Sequence, residues 1–412
     1  MLALMRKISF GFSRLAINFL GPIFILPFLH LRLGDVNFGK HMVFQSVLGF
    51  FQIFADYGAT VAGVSAVASA SKPESQRNIL INYTAARLMP VALSISIFLV
   101  FSALYPSTFG FSWLDNIFVV LLGLMFAISP VWYFLGRSEF GTVFLIQAVP
   151  RIISYVLLFF CVRGSEDLGF ANLISMFSIA GVGLLGIFFC IPDIDIRLLN
   201  LKSIRQILFE NFYLLITQTF ATIFTYGNTI LVMLICGSVQ AGIFGYADKL
   251  VRSMIQLITP FVEVAFPQIA KEIASDERRG LKLARDWVVY GGVLIFLSVS
   301  ILVSVIIFFR EWIANYITRE VIYSFSVMAP VVLFIYINNI CGSQILYLYK
   351  STKVMFFIML SLSVLTILVS SILLYYFDAL GASFAILFGE LFLCLSYALV
   401  SVRVVGRNWI RG

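Results

Sequence analysis

Charged residues are scarce in this chain. Only 12% of its 412 residues are Asp, Glu, Lys or Arg, whereas soluble domains carry about 25%. Hydrophobic residues make up 61% of the chain, and the mean hydropathy is +1.02. A soluble protein of this length could not bury so much apolar surface in one core. The composition therefore excludes a soluble globular domain and indicates a polytopic membrane protein.

Paired cysteines and long polar loops are also lacking. The longest connections between apolar runs are 191–207 and 266–286, and neither is long enough for a catalytic domain outside the membrane. We therefore expect neither an enzyme nor a resident cofactor or metal. The cysteines stand singly in or beside apolar runs, which is typical of free buried thiols: Cys161, Cys190, Cys236, Cys341 and Cys394.

Long apolar runs make up most of the sequence. A membrane-spanning helix needs about 20 predominantly apolar residues, and the charge clusters and Gly/Pro turns divide the chain into about twelve such segments. The first starts close to Met1 without a clear cleavage site, so we interpret it as an uncleaved helix. The predicted spans are 10–31, 41–68, 81–103, 115–135, 143–162, 170–190, 208–236, 242–265, 287–309, 321–346, 354–376 and 381–403.

Lys and Arg are distributed unevenly between the two sides of this predicted bundle. With the N-terminus inside, 21 of them fall on the cytoplasmic side and 5 on the other. Lys and Arg accumulate in cytoplasmic loops, so this bias predicts that both termini are cytoplasmic. The net charge of +8 is thereby attributed to membrane orientation, and no nucleic-acid partner is expected.

Two pairs of weakly similar short segments indicate an internal repeat. The motif G-x-V-x-x-G occurs at 34–39 after the first span and at 237–242 after the seventh. "DLGFANLISMF" before the sixth span is similar to "ALGASFAILFG" before the twelfth. Parallel repeats of this kind occur in transporters. The predicted fold is an all-α integral membrane protein with about twelve transmembrane helices in two six-helix lobes, 1–200 and 201–412, around a central cavity.

The eighth span, in "FGYADKLVRSMIQ", carries charges where hydrocarbon is expected. Asp248, Arg252 and Gln256 follow each other at i, i+4 and i+8, with Lys249 to one side. Asp four residues before Arg is the favourable order for a helical ion pair. A charge at a helix centre costs about 2.5–3.5 kcal/mol in lipid, so this stripe is expected to face other helices or water.

Other spans repeat the pattern. Gln52 and Asp56 share one face of the second span, and Gln218 lies on the polar face of the seventh. These stripes either line a partly hydrated cavity or hold helices together. Arg14, Arg87 and Arg151 stand near cytoplasmic ends, where they line the cavity or extend to the interface. Glu390 in the twelfth span is either a coupling-ion site or an interhelical bond.

Three stretches resemble a known family. "FADYGATVAGVSAVASA" is similar to the D-Y-G-F region of Wzx O-antigen flippases, and "SPVWYFLGRSEF" to their P-x-W-x-F-Q-G-x-E segment. "GIFGYADKLVRSMIQLITPFVEVAFPQIAK" resembles their eighth span. Leu135 stands where that family has Gln, Ala59 follows Asp-Tyr-Gly in place of Phe, and Arg137 and Ser138 displace the acidic position now held by Glu139.

The resemblance implies membership of the multidrug/oligosaccharidyl-lipid/polysaccharide exporter superfamily. It implies a flippase that moves undecaprenyl-diphosphate-linked oligosaccharide from the cytoplasmic to the periplasmic leaflet of the bacterial inner membrane by alternating access. It also implies membrane lipid, an O-antigen polymerase and a chain-length regulator as partners. An H⁺ gradient, a Na⁺ gradient and the membrane potential remain alternatives for the driving force.

A net-basic cavity suits an anionic diphosphate, and Arg binds phosphate oxygens in bidentate fashion. On this hypothesis Asp248, Asp56 and Glu390 act in gating or ion coupling. The residues predicted to bind substrate in the cavity are Arg252, Lys249, Arg14, Arg87, Arg151, Gln218 and Gln52.

Two alternatives remain open at this stage. A cation-coupled drug exporter of the same superfamily would share the fold but favour cationic, aromatic cargo. A membrane glycosyltransferase or polysaccharide polymerase belongs to a different class. The only sequence feature for it is Asp193-x-Asp195 in a short loop without a nucleotide-binding domain around it.

Overall fold

A computed structural model describes residues 2–70, 72–104, 113–313, 317–346, 348–349 and 352–405. Within these residues the secondary structure consists of helices and turns, without a strand. The all-α class predicted from the apolar runs is confirmed. The helices are α1 Leu2–Asp56, α2 Val64–Ser69, α3 Pro73–Leu104, α4 Trp113–Ile128, α5 Val131–Gly136, α6 Phe140–Cys161, α7 Leu168–Cys190, α8 Leu201–Thr222, α9 Asn228–Cys236, α10 Ser238–Ser275, α11 Glu277–Asp286, α12 Gly292–Phe308, α13 Arg310–Ile313, α14 Arg319–Met328, α15 Val331–Asn338 and α16 Thr352–Val405.

Four π-helical segments interrupt or extend these helices, and three 3₁₀ turns lie in the connections. Single π-bulges are rare and occur often at functional sites. The π-helices are Ala59–Gly63, Ile223–Gly227, Trp287–Gly291 and Asn339–Leu346, and the 3₁₀ turns are Ser165–Asp167, Ile191–Asp193 and Ile196–Leu198.

Two long helices each contain a break. Gly34 interrupts α1 with φ of 70°, and Asp378 interrupts α16 with φ of 49°. The left-handed region suits Gly, which has no Cβ, and is tolerated by Asp, whose side chain can bond locally. Each long helix is therefore two consecutive helices, as the sequence predicts for the first and last pairs of spans.

The helices are long and apolar enough for a multi-pass membrane protein. Seven helical segments of the described residues meet the length and hydropathy expected of a span, and the bent pair Gly21–Asp56 with Ala59–Ser69 makes eight. One of the seven, Lys353–Val404, contains the break at Asp378. The exact number of twelve crossings stays a prediction.

The first of two compact units comprises Met1–Ile17 and Arg32–Gly227. Its core contains an aromatic group in which the Tyr83 and Trp132 rings lie 5.3 Å apart, next to buried Tyr133. At Gly63 an added Cβ would lie 2.8 Å from the Trp132 ring, so the missing side chain allows this close approach.

The helix α8 is bonded to the first unit. The Tyr57 hydroxyl donates to the Leu208 carbonyl at 2.7 Å, and the Asn200 backbone N–H, just before α8, donates to Asn82 Oδ1 at 2.8 Å. The first unit accordingly extends to Gly227, beyond residue 200. The predicted lobes of 1–200 and 201–412 stay a prediction.

The second unit comprises Asn18–Leu31 and Asn228–Gly412. The helix α16 packs on α9, α14 and α15, and α10 packs on α14 and α15. The buried Tyr336 donates from its hydroxyl to the Trp287 carbonyl at 2.8 Å. This bond joins the π-helix Trp287–Gly291 to α15, so a polar group inside the bundle finds its partner on another helix.

Candidate functional site

Two opposite charges share one face of α10 inside a predicted span. Arg252 Nε donates to Asp248 Oδ2 at 2.7 Å, so the ion pair that the i, i+4 spacing predicts is present. The Asp248 side chain is buried, and 26% of the Arg252 side chain is exposed. Because a lone charge in hydrocarbon is expensive, pairing within the protein offsets part of the cost of placing these two residues there.

Glu390 on α16 brings a second carboxylate to this pair within the second unit. Its side chain is buried, and its Oε2 accepts a hydrogen bond from Asn338 Nδ2 on α15 at 2.8 Å. Arg252 lies close enough to act electrostatically on Glu390. Arg252 thus interacts with two carboxylates, those of Asp248 and Glu390, which stand on different helices. We call these four residues, Asp248, Arg252, Asn338 and Glu390, the charged cluster.

The flanking residues of α10 are less enclosed. Lys249 is half-buried, and its carbonyl accepts from the Ser253 hydroxyl at 2.8 Å. Gln256, one turn after Arg252, is also half-buried and has a buried side-chain oxygen without a hydrogen-bond donor. The side of α10 that carries the pair thus continues as a polar stripe, as the sequence predicts.

Sequence reasoning missed two buried amides of the second unit. Asn338 bonds Glu390, and Gln344 donates from Nε2 to the Val262 carbonyl at 2.7 Å. Each also has a buried amide oxygen without a donor. The signal was available in "YINNICGSQ", where three amides interrupt an otherwise apolar run.

The guanidinium of Arg87 donates three hydrogen bonds to backbone carbonyls of the first unit. Its Nη1 donates to the Ser129 carbonyl at 2.9 Å, its Nη2 to the Phe126 carbonyl at 2.8 Å, and its Nε to the Ala55 carbonyl. Only 4% of the residue is exposed. The carbonyls of Ala55 and Phe126 belong to the last turns of α1 and α4, and Ser129 directly follows α4; carbonyls at helix ends lack the usual donor four residues later. Arg87 therefore caps two broken helices.

Asp56 stands at the end of α1, next to the residues that break it. Tyr57 and Gly58 have φ of 43° and 75°, which stops the helix. The Asp56 carboxylate accepts from the Thr60 N–H at 3.2 Å and from the Thr60 hydroxyl, and it acts electrostatically on Arg87. Gln52, one turn earlier, is exposed.

Three further candidates are placed only in part. The side chains of Arg14 and Gln218 lie outside the described residues, although their backbones belong to α1 and α8. Arg151 is half-buried on α6 and acts electrostatically on Tyr155.

Of the candidate residues, the structure brings Asp248, Arg252 and Glu390 together in one unit, and Asp56 and Arg87 in the other. The functional roles of all ten candidates stay predictions.

A charge network at one end of the first unit involves residues beyond the predicted site. Asp193 accepts from Arg137 at 2.6 Å and from Arg77 at 3.2 Å, and Arg137 also pairs with Glu139 at 2.8 Å. Burial lowers the pKa of the Arg137 guanidinium, but its hydrogen bond to Tyr133 and the two carboxylates raise it, and the net shift is upward. Glu139 is thus an ion-pair partner in this network.

A family profile described as "Polysaccharide biosynthesis protein" matches residues 5–272 of the chain. The chain belongs to this family. The match includes the pair Asp248–Arg252, while Glu390 and Asn338 lie beyond it.

Two relatives match nearly the whole length of the chain, and both carry the name "Putative O-antigen transporter". The one from Escherichia coli strain K12 is 22% identical over 94% of this chain and 93% of its own. The one from Shigella dysenteriae is 21% identical over 92% of this chain and 95% of its own. Both are named as transporters and not as enzymes, in agreement with the expectation from the short loops.

Solved structures with the same fold are transporters and flippases. An inward-facing multidrug resistance MATE family transporter of the MOP superfamily has a TM-score of 0.74 at 12% identity, covering 98% of both chains. The lipid II flippase MurJ, in an inward closed conformation, has a TM-score of 0.66 at 13% identity, covering 98% of this chain and 90% of its own. The chain therefore shares its fold with these two proteins.

Proposed function

We propose that the chain is a flippase for lipid-linked oligosaccharides. Its cargo is an undecaprenyl-diphosphate-linked O-antigen repeat unit, moved by alternating access from the cytoplasmic to the periplasmic leaflet of the bacterial inner membrane. The charged cluster inside the spans of a polysaccharide biosynthesis protein is the observation that carries this proposal. The names of the two relatives and the fold shared with a lipid II flippase support it.

The chemistry of the cluster suits a diphosphate. Arg252 keeps 26% of its side chain exposed while it holds Asp248, so part of this side chain is accessible to a ligand. Guanidinium groups bind phosphate oxygens through two parallel hydrogen bonds, whereas Lys acts as a point charge. We assign the diphosphate to Arg252, with Lys249 supplying a second positive charge one residue away on the helix.

The pair Asp248–Arg252 also stabilises the site when no cargo is bound. Without cargo, Asp248 neutralises Arg252 and avoids an isolated charge in the membrane. With cargo, the diphosphate competes with Asp248 for the guanidinium, and Glu390 responds because Arg252 acts on it too. This exchange couples occupancy of the site to the contacts between α10, α15 and α16. Asp56 has the corresponding gating role in the first unit.

Complementation of a flippase-null strain tests the proposal. We expect Arg252→Ala to abolish surface O-antigen and Lys249→Ala to reduce it, with Arg252→Lys intermediate because it keeps charge but loses the bidentate geometry. Lys282→Ala is the matched control, since Lys282 is exposed on α11. Full O-antigen from Arg252→Ala at normal protein level would refute the assigned role.

The orientation proposed here places both termini in the cytoplasm of the inner membrane. The bias of 21 Lys and Arg against 5 supports it. Reporter fusions that are active on only one side of the membrane, placed after residues 200 and 405, should both report the cytoplasm. An O-antigen polymerase, a chain-length regulator and an H⁺ or Na⁺ gradient stay predictions.

A cation-coupled drug exporter is the second candidate. The TM-score of 0.74 with a multidrug resistance transporter favours it. Cationic cargo would need accessible carboxylates, whereas Asp248 and Glu390 are buried and already bonded. A deletion strain that becomes sensitive to cationic drugs but keeps its O-antigen would favour the exporter over the flippase.

The polymerase or glycosyltransferase alternative has little support. Asp193 is bound to Arg77 and Arg137, and Asp195 accepts the Arg197 N–H at 3.0 Å. These two carboxylates thus stabilise the loop. Turnover of a sugar nucleotide by the purified protein would reinstate this class.

A further inference from the structure

An open cleft of about 550 Å³ lies in the first unit, where α3 begins next to the segment 191–200. This volume is in the range of small-ligand sites, about 300–1,000 Å³. The cleft differs from the charged cluster because it is outside the predicted spans and carries equal numbers of both charges. It is lined by two cations, two carboxylates and two less polar residues: Lys72, Arg77, Glu74, Asp195, Pro73 and Leu198.

The segment beside the cleft exposes large apolar side chains. Ile194 is 41% exposed, Ile196 71% and Leu201 80%, while charged residues alternate with them. A connection that faced only water would leave this apolar area unburied, which is unfavourable by about 25 cal/mol per Å². Exposed apolar side chains alternating with charges are typical of a segment at the membrane interface, so we expect the cleft to lie near the lipid headgroups.

Two lining residues, Arg77 and Leu198, are held by bonds to residues outside the lining. Asp193 holds Arg77 and Arg137, and the Asn82 side chain donates to the Leu198 carbonyl at 3.1 Å. Lys72 and Glu74, in contrast, are exposed at the rim. This part of the lining is thus preorganised, and the two rim charges are available to a ligand without breaking the network.

We propose that this cleft binds the headgroup of a zwitterionic phospholipid that carries a phosphate and a primary ammonium, as in phosphatidylethanolamine. Lys72 and Arg77 contact the phosphate, and Glu74 and Asp195 accept hydrogen bonds from the ammonium. Two carboxylates would repel a doubly charged diphosphate, so the cleft does not suit the cargo proposed above. It would bind this lipid whether or not the chain transports oligosaccharides.

Native mass spectrometry of the full chain in detergent, with lipids of matched acyl chains, tests the proposal. We expect phosphatidylethanolamine to be retained about two- to fivefold more than phosphatidylcholine, the range expected for exposed charge pairs. The trimethylated headgroup keeps the phosphate and the charge but has no N–H donor. Glycerophosphoethanolamine, which lacks the acyl chains, should not displace the lipid at equal concentration.

Variants of the rim identify the site. Lys72→Gln should lower retention of both lipids, whereas Glu74→Gln should remove the preference for phosphatidylethanolamine and leave phosphatidylcholine unchanged. Lys202→Gln is the matched control, because Lys202 is an exposed lysine of the same unit outside the cleft lining. All three side chains are exposed, so unchanged melting temperatures are expected and confirm that folding is intact.

Any one of the following results would overturn the proposal. The first is equal retention of the two zwitterionic lipids by the unaltered chain. The second is a preference that survives in both Lys72→Gln and Glu74→Gln. The third is stronger retention of phosphatidylglycerol, which indicates an anionic-lipid site, or displacement by glycerophosphoethanolamine, which indicates a soluble ligand.

Discussion

Arg87 Nη1 lies 2.9 Å from the carbonyl oxygen of Ser129, a residue 42 positions later in the chain. Ser129 follows the end of α4 and precedes Pro130, which has no N–H to continue the helix. The same guanidinium also bonds carbonyls of Phe126 and Ala55. One buried cation therefore holds two helix ends together inside the first unit.

This arrangement predicts that Arg87 is needed for stability. Arg87→Ala should lower the free energy of unfolding by about 3–5 kcal/mol, because buried carbonyls lose their donors. Arg87→Lys should recover only part of this, since an ammonium cannot reproduce the planar fork. Thermal unfolding of the purified protein in detergent measures both effects.

Arg151→Ala is the control for Arg87. Arg151 is an arginine of the same unit but only half-buried, so we expect a change below about 1 kcal/mol. If Arg87→Ala instead melts like the unaltered protein and loses only transport, Arg87 binds the cargo as the sequence predicts, and the capping role is secondary.

The pair Asp248–Arg252 should show strong coupling in a double-mutant cycle. Arg252→Gln alone leaves a buried carboxylate without its partner and should cost about 3–5 kcal/mol. Adding Asp248→Asn should recover at least half, and not all, because Glu390 also loses Arg252. Melting temperatures of the two single variants and the double variant measure the coupling. Additive losses would show that the pair contributes little. Transport should stay absent in the double variant even though part of its stability is recovered.

The helical fold and the ion pair of α10 could both be predicted from the sequence, for the same physical reason. Apolar runs of about 20 residues allow few structures in a bilayer. The i, i+4 spacing of Asp248 and Arg252 places their side chains in contact in any regular helix. Both inferences need only local geometry.

The roles of Arg87 and Glu390 required knowledge that the sequence does not contain. Arg87 is bonded to carbonyls, which every residue has, so no pattern of side chains marks Ala55, Phe126 or Ser129 as its partners. Glu390 meets Asn338 across 52 positions. Such contacts depend on where α1 and α4 break and on how α15 packs on α16, which periodicity does not determine.

The loop 191–200 should depend on Asp193 more than on Asp195. Asp193→Asn removes two ion pairs whose acid is only 17% exposed, so we expect a loss of about 1–2 kcal/mol and faster hydrogen exchange across the loop. Asp195→Asn, which keeps an oxygen for the Arg197 N–H, is the matched control and should change little. Equal rates of hydrogen exchange in both variants would contradict the stabilisation of this loop by Asp193.

Gly280 should not tolerate a methyl group. An added Cβ would lie 2.4 Å from the Ile273 backbone nitrogen, where α10 turns into α11. Gly280→Ala should therefore destabilise the protein by about 1–3 kcal/mol. Gly169→Ala is the control, because nothing lies within 4 Å of its added Cβ, and there we expect a gain of about 0.5–1 kcal/mol. Melting temperatures of the two variants should shift in opposite directions, and a common direction would contradict the close contact.

Glu390 separates the two roles that a buried acid in a transporter can have. In Glu390→Gln, the amide oxygen can still accept from Asn338, so we expect a melting temperature close to that of the unaltered protein. Glu390→Ala removes the acceptor and leaves a cavity, which should cost about 2–3 kcal/mol.

If Glu390 acts in gating or ion coupling, Glu390→Gln should fold normally, lose most O-antigen transport and no longer respond to an H⁺ or Na⁺ gradient, because it cannot change its charge. Complementation together with transport into proteoliposomes under an imposed gradient distinguishes the two roles. Normal, gradient-sensitive transport by Glu390→Gln would leave Glu390 as an interhelical bond to Asn338 alone.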